Sequence, residues 1–316
     1  FHVEQYIQYQ HQVISANWNS QLHHWELLVD TPIGTKNICC RFLLLCSGFY
    51  NHQQGYLPEF KNIEKYQGKF FHSQQWPTNL HIEDKKIIVI GSGATATGLV
   101  PVLANYAKHV TMLQRSPSYF LNIPDIEPQI LKIRKWLPKS LSYFLLRWRN
   151  IFNMWKSIKT SLKNPELAKY FLLGNLTYYF SKNEIEKNFT PKYLPWQQRI
   201  CVSPNAEFFK SIQSHKASVV TGEIDQFTES GIQLTDGQHL EADIVVAATG
   251  VQLQPLGNIK LSIDNIDIDL SQTISYRGMM LSNVPNLAYI QGYFANSWML
   301  RSDMTIKYLC RKVFKR

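Results

Sequence analysis

The chain has no CxxC pair, although it holds five cysteines, Cys39, Cys40, Cys46, Cys201 and Cys310. That absence removes the zinc-ribbon and thioredoxin-like readings. An odd count with two neighbours fits a reduced, cytoplasmic setting. No His/Cys/Asp/Glu spacing suggests a metal site, and no Gly-x-Ser-x-Gly suggests a hydrolase. No run of about 18 apolar residues is present, so a spanning helix is not expected. No basic start followed by an apolar stretch reads as a signal peptide. Asp and Glu are missing altogether between Pro128 and Pro165. There is no internal repeat and no low-complexity tract.

What remains describes an ordinary folded protein. Of 316 residues, 45% are apolar and 18% charged, too apolar for a disordered chain. The net charge of +10 suits a polyanionic cofactor, nucleic acid or an anionic membrane without selecting among them. No nucleic-acid-binding module accompanies the charge, so no nucleic-acid partner is expected. Residues 1–50 read as short strands, clearest at Trp25–Val29 and Phe42–Cys46. Residues 51–83 are rich in loops. Lys86–Ile90 and His109–Leu113 read as strands flanking a helix, which is a βαβ unit and the start of a doubly wound sheet. Further strands are expected at Ala217–Thr221, Gly231–Thr235 and Ala242–Ala247.

The strongest motif is Gly91-Ser92-Gly93-Ala94-Thr95-Ala96, set between the first of these strands and the helix. Gly91 provides the tight turn, Gly93 lets backbone approach a pyrophosphate, and Ala96 lets helix and strand pack closely. The phosphates then face unpaired N–H groups at the helix N-terminus. At the end of the next strand stand Arg115 and Ser116, with Arg115 22 residues after Gly93. An acid there would hold the ribose 2′-hydroxyl of NAD; an arginine suits the 2′-phosphate of NADP. No second GxG occurs anywhere, so an FAD phosphate loop is not evident.

Tyr66-Gln-Gly68-Lys-Phe-Phe-His72-Ser-Gln-Gln-Trp76-Pro77 resembles the Baeyer–Villiger fingerprint FxGxxxHxxxWP, with Tyr66 for phenylalanine. With the GSGATA loop after it, the chain resembles the class B flavoprotein monooxygenases (Baeyer–Villiger and flavin-containing monooxygenases), and within them the ethionamide-activating subgroup. Gly48-Phe-Tyr-Asn51, His109 to Pro117, Phe189 to Tyr193, Pro195 to Cys201, Ala248-Thr249-Gly250, Gly278 to Ser282 and Gly292 to Trp298 carry the likeness in family order.

The resemblance implies an α/β fold with two dinucleotide-binding domains. Residues 1–83 would be the later part of an FAD domain and a linker. Residues 84–250 would be a doubly wound NADP domain with a helical insertion at about 128–190, and 251–316 would return to the FAD domain. It implies FAD and NADPH as cofactors, with Thr249 and Gly250 near them. Arg199 would be the active-site arginine, stabilising negative charge on the oxygenated flavin and on the tetrahedral intermediate. Tyr66, Gly68, His72, Trp76 and Pro77 would form a linker coupling nucleotide binding to domain movement. The reaction would insert one oxygen of O₂ beside the carbonyl of a small ketone, or onto a sulfur. Family members carry a further N-terminal segment with the FAD phosphate loop, so the resemblance implies a chain truncated there, with an incomplete FAD domain. The alternative is a non-catalytic remnant that binds NADPH only.

Between Pro128 and Pro165, Lys and Arg recur among Trp136, Tyr143, Phe144, Trp148, Phe152 and Trp155. One reading is an amphipathic surface for peripheral contact with a membrane or a partner. The other is an insertion that buries its aromatics against the domain, the usual fate of stripes at helical spacing. The second is the expectation taken here.

Overall fold

Lys86–Ile90 is apolar at four successive positions after its lysine, and alternate residues of a strand point to opposite faces. Such a run is stable only when both faces are covered. In the computed structural model, which describes residues 2–198, 200–293 and 297–312, both are. The strand sits at the centre of a five-stranded, all-parallel sheet in the order Ala217–Thr221, His109–Gln114, Lys86–Ile90, Ile244–Ala247, Lys69–His72. Ile87 and Val89 face helix α1 (Ala94–Ala104), whose Ala96, Val100 and Leu103 are buried against them. Ile88 and Ile90 face a small antiparallel meander, Ile224–Thr228, Gly231–Leu234 and His239–Glu241. Each such side chain contributes roughly 1.5–3 kcal/mol when fully buried.

This sheet belongs to a compact unit running from Gln54 to Gly250. A second unit comprises Phe1–Gln53 with Val251–Arg316. Its sheet has the order Ile266–Asp267, Lys260–Ile263, Gln12–Asn19, His24–Thr31, Gly34–Cys40, so a late strand pairs in parallel with an early one. Trp18, Trp25, Leu27 and Val29 are buried there with Leu256, Leu261 and Leu287. The boundary at 53/54 differs from the expected division at 83/84. Lys69–His72, inside the fingerprint, is a strand that pairs with Ile244–Ala247, and its pairing fixes it in the larger unit.

The insertion is helical, as expected: α2 (Pro128–Trp136), α3 (Lys139–Lys163), α4 (Pro165–Gly174) and α5 (Lys182–Asn188). The expectation that it buries its aromatics is overturned. Trp136, Tyr143, Phe144, Trp148, Phe152 and Trp155 are all exposed. The buried residues of α3 are Ser142 and Leu146. Asn153, Ser157, Thr160 and Ser161 of α3 line a cavity together with Leu167 and Phe171 of α4. Periodicity placed the aromatics on one face of the helix, but that face points away from the unit.

Candidate nucleotide site

Parallel sheets present their ligand crevice at the carboxyl ends of the strands. The candidate residues gather there. Gly91 follows Ile90, Arg115 follows Gln114, Thr249 and Gly250 lie just beyond Ala247, and His72 ends its strand. A cavity of about 730 Å³ lies at the opposite end, among Lys69, Lys86, Lys108 and Asp243, where the strands begin. It is therefore away from the nucleotide loop.

Gly91 has φ +130°, a backbone conformation that favours glycine, and its N–H donates to Leu113 O at 2.8 Å. A Cβ there would strike the carbonyl of Ala248, so glycine is required by the closeness of the two strands. Gly93 is different. A Cβ on it would meet nothing within 4 Å, which leaves open space in front of the backbone. Gly93, Ala94 and Thr95 are exposed, and no side chain caps α1. Its first N–H groups are thus available to an anion. Ala96 is fully buried where α1 meets the sheet. These features fit a pyrophosphate.

Arg115 and Ser116 are exposed beside this loop. Ser92 Oγ lies 2.9 Å from Ser118 Oγ and 3.4 Å from Ser116 O, tying the loop to the next strand's end. Arg115 forms no ion pair among the described residues. A free guanidinium at this position suits a 2′-phosphate.

The fingerprint residues have separable roles. Tyr66 is buried and its hydroxyl donates to Ala242 O at 2.9 Å. Burial, with Asp243 nearby, pushes its phenol well above the ordinary range. The tyrosine that replaces phenylalanine therefore has a partner for its extra polar atom. A Cβ on Gly68 would collide with the Tyr66 ring's hydroxyl end and with Asp243 O. His72 is 4% exposed. Gln74 N–H donates to its Nδ1 at 3.2 Å, so the proton is on Nε2, which donates to Gly250 O at 2.9 Å. Its ring lies where a side chain on Gly55 would be, and Tyr56 N–H also donates to Gly250 O. Thr249 Oγ1 donates to Tyr56 O at 2.6 Å. His72 thus holds together the two stretches, near Gln54 and near Gly250, where the chain enters and leaves this unit. Trp76 stands edge-on to Phe71 at 5.1 Å and is 39% exposed; Pro77 follows it.

Arg199 lies outside the described residues, as do Phe294–Asn296 within the Gly292 to Trp298 stretch. Two residues after Arg199, the Cys201 thiol donates to Ser92 O at 3.3 Å. The 195–201 stretch therefore ends at the Gly91–Ala96 loop. Sequence reasoning missed Ser118 and Gly55. Ser118 sits in an ordinary Ser-Pro-Ser turn, and nothing local marks Gly55 as the residue beneath His72. It also missed Ser47, in the other unit. The Ser47 hydroxyl is buried without a partner among the described residues, on the wall of a cavity of about 330 Å³ shared with Gly48, Leu256 and Tyr289. A bound polar group would satisfy it. Among the described residues no three His, Cys, Asp or Glu groups gather as a metal site.

A parallel sheet with a glycine loop at its carboxyl edge and an unpaired arginine beside it, in a chain with a second α/β unit, define the doubly wound class whose strand ends suit a dinucleotide. The flavin-binding monooxygenase-like family model matches residues 1–263, and the chain belongs to that family. It is 44% identical over 308 residues to the probable FAD-binding monooxygenase AlmA of Acinetobacter baylyi, covering 96% of this chain and 62% of that one. It is 40% identical over 311 residues to the FAD-containing monooxygenase EthA of Mycobacterium tuberculosis, covering 98% and 64%. The chain thus spans a little under two thirds of these relatives. An open crystal structure of cyclohexanone monooxygenase matches 98% of this chain and 70% of its own with TM-score 0.76 at 19% identity. The cyclohexanone monooxygenase from Rhodococcus sp. Phi1 bound to NADP⁺ matches 98% and 67% with TM-score 0.73 at 20% identity. At these identities the likeness is one of fold.

Proposed function

We propose that the protein is an FAD- and NADPH-dependent monooxygenase that inserts one oxygen of O₂ beside the carbonyl of a small ketone, or adds it to a sulfur. The observation that carries this reading is the open Gly91–Ala96 loop with the unpaired Arg115 beside it, in a chain of the flavin-binding monooxygenase-like family. Gln54–Gly250 is the NADP-binding unit, and Phe1–Gln53 with Val251–Arg316 belongs to the FAD-binding domain. The Gly91, Ser92, Gly93, Ala94, Thr95 and Ala96 backbone holds the pyrophosphate. Arg115 and Ser116 hold the 2′-phosphate, and Thr249 and Gly250 border the same crevice. Ser47, with its partnerless hydroxyl, and Gly48 are the residues of the other unit that would contact FAD. The flavin, when bound, supplies the activation of O₂; the chain supplies placement and charge. By its place in the Pro195 to Cys201 stretch, Arg199 would supply the cation that stabilises negative charge developing on oxygen. His72, through Gly250, is a positioning residue at the crossing between units, supported by Tyr66, Gly68, Trp76 and Pro77.

Titration of the purified chain with NADPH and with NADH tests the core of this reading. NADPH is expected to bind more tightly. Arg115→Ala should weaken NADPH by about 10- to 100-fold, the size of a charge-assisted contact, and leave NADH unchanged. Equal affinity for the two nucleotides in the native chain would overturn the assignment of Arg115. Binding of NADPH without any flavin spectrum under FAD titration would favour a nucleotide-binding module over a monooxygenase.

A further inference from the structure

Helix α3 carries an apolar stripe on its exposed side. Leu141, Phe144, Trp148, Phe152, Trp155 and Leu162 recur at steps of three, four and seven and are all exposed. On the opposite side Ser142 and Leu146 are buried, while Asn153, Ser157 and Thr160 are exposed and border the cavity shared with α4. An ordinary surface helix turns its apolar stripe inward. At about 1.5 Å per residue the stripe runs along a helix of about 37 Å. A contiguous apolar face of this kind marks an interaction surface.

Charge decides what covers it. From Gln129 to Asn164 there are nine Lys or Arg and no Asp or Glu. Among the described residues, the one ion pair these cations form is Arg149 with Glu127. Lys156 and Lys163 flank the aromatic stripe and are exposed, and Lys159 lies over the Trp155 ring at 4.5 Å. A second copy of this face would bring like charge against like charge. An anionic bilayer surface offers headgroups to the lysines and an acyl boundary to the rings. No helix among the described residues is long and apolar enough to cross a membrane, so contact of α3 with lipid would be interfacial and not spanning. We infer that α3 is an interfacial helix that docks the protein on anionic lipid bilayers. The inference stands apart from the nucleotide reading.

Sedimentation of the full chain with vesicles tests it. Vesicles of phosphatidylglycerol mixed with phosphatidylcholine should carry the protein down; pure phosphatidylcholine should not, and high salt should release it. The combined change Trp148→Ser, Phe152→Ser and Trp155→Ser should weaken binding by about a hundredfold or more. Lys156→Gln with Lys159→Gln and Lys163→Gln should weaken it by a similar factor, about fivefold per charge at the surface. Thermal unfolding of each variant at the native midpoint shows that the fold is kept. Absence of vesicle binding by the native chain at low salt would overturn the inference. So would equal binding to neutral and anionic vesicles, or lipid-independent self-association that the aromatic changes abolish.

Discussion

Two sets of aromatic side chains lie in the same unit with opposite fates. Phe120, Phe180, Phe189, Phe208 and Phe209 form one cluster: Phe120 stacks on Phe208 at 5.3 Å, and Phe180 on Phe189 at 4.6 Å. The aromatics of α3 are as numerous and more regularly spaced, yet Trp148 is 58% exposed and Phe120 is 2% exposed. The two sets differ in their company. Around the buried rings stand Val110, Met112, Ile185 and Ala206, which leave nothing polar to hydrate. Around the α3 rings stand cations on one side and serine, threonine and asparagine on the other. Spacing reports which residues share a helix face; the residues on the remaining faces decide where that face points.

The largest expected effect tests this contrast directly. Phe120→Ala should cost about 3–5 kcal/mol of stability, since the stacked ring leaves a cavity that the sheet cannot close. Trp148→Ser should change stability by no more than about 0.5 kcal/mol. Urea unfolding of the two variants measures both. A comparable loss in each would mean that the α3 face is packed in solution.

The inner half of the unit is also unyielding in its backbone. Gly91→Ala places a Cβ against the Ala248 carbonyl at a φ of +130°. A cost of about 1–3 kcal/mol is expected, together with loss of NADPH binding. Gly93→Ala meets no protein atom. It should leave the unfolding midpoint nearly unchanged while still weakening the nucleotide, because the open space it fills is the one proposed for the pyrophosphate. If both substitutions destabilise equally, Gly93 serves the fold and not the ligand.

Much of the inner half was legible in the sequence, and the reason is local. Ile87-Ile88-Val89-Ile90 needs two covered faces, and a glycine loop between strand and helix has few other uses. The strand expectations at Lys86–Ile90, His109–Leu113 and Ala217–Thr221 all stand. Less visible were features made by distant residues. Lys69–His72 is an edge strand only because Ile244–Ala247 lies beside it. The tautomer of His72 is set by Gln74 and Gly250, 176 positions apart in sequence. The outward face of α3 was misjudged because an apolar stripe carries no sign of inside or outside. The unbroken run without Asp or Glu, already visible in the sequence, was the better guide.

A smaller effect is expected where the two regions meet. Tyr119 is buried, and its hydroxyl donates to Tyr193 O at 2.8 Å. Burial, with Tyr193 and Glu166 nearby, pushes its phenol up to about 12. Tyr119→Phe should cost about 1 kcal/mol, because Tyr193 O loses its donor. Loss of vesicle binding without loss of stability in this variant would show that the junction orients α3.

The insertion returns to the sheet through α5, and the first turn of α5 provides the finest test. Ser181 Oγ accepts from the Glu184 N–H, and the Glu184 carboxylate accepts from the Ser181 N–H at 2.9 Å, a reciprocal capping box. Bonds from Ser181 hold the Glu184 carboxyl below its usual range. A carboxylate whose pKa is lowered by folding stabilises the fold above its unfolded value, and that contribution fades as pH falls through the folded value. Ser181→Ala should therefore cost about 1 kcal/mol near neutral pH, and the difference from the native chain should narrow as the carboxylate protonates. At the other end of α5, Asn188 O accepts from Gln114 Nε2 at 2.7 Å, next to Arg115. Fraying of α5 thus reaches the strand end that carries Arg115, the residue proposed to hold the 2′-phosphate. A parallel loss of NADPH affinity in Ser181→Ala, with NADH unaffected, would place the insertion's return under the nucleotide site. An unchanged affinity would confine the capping box to stability.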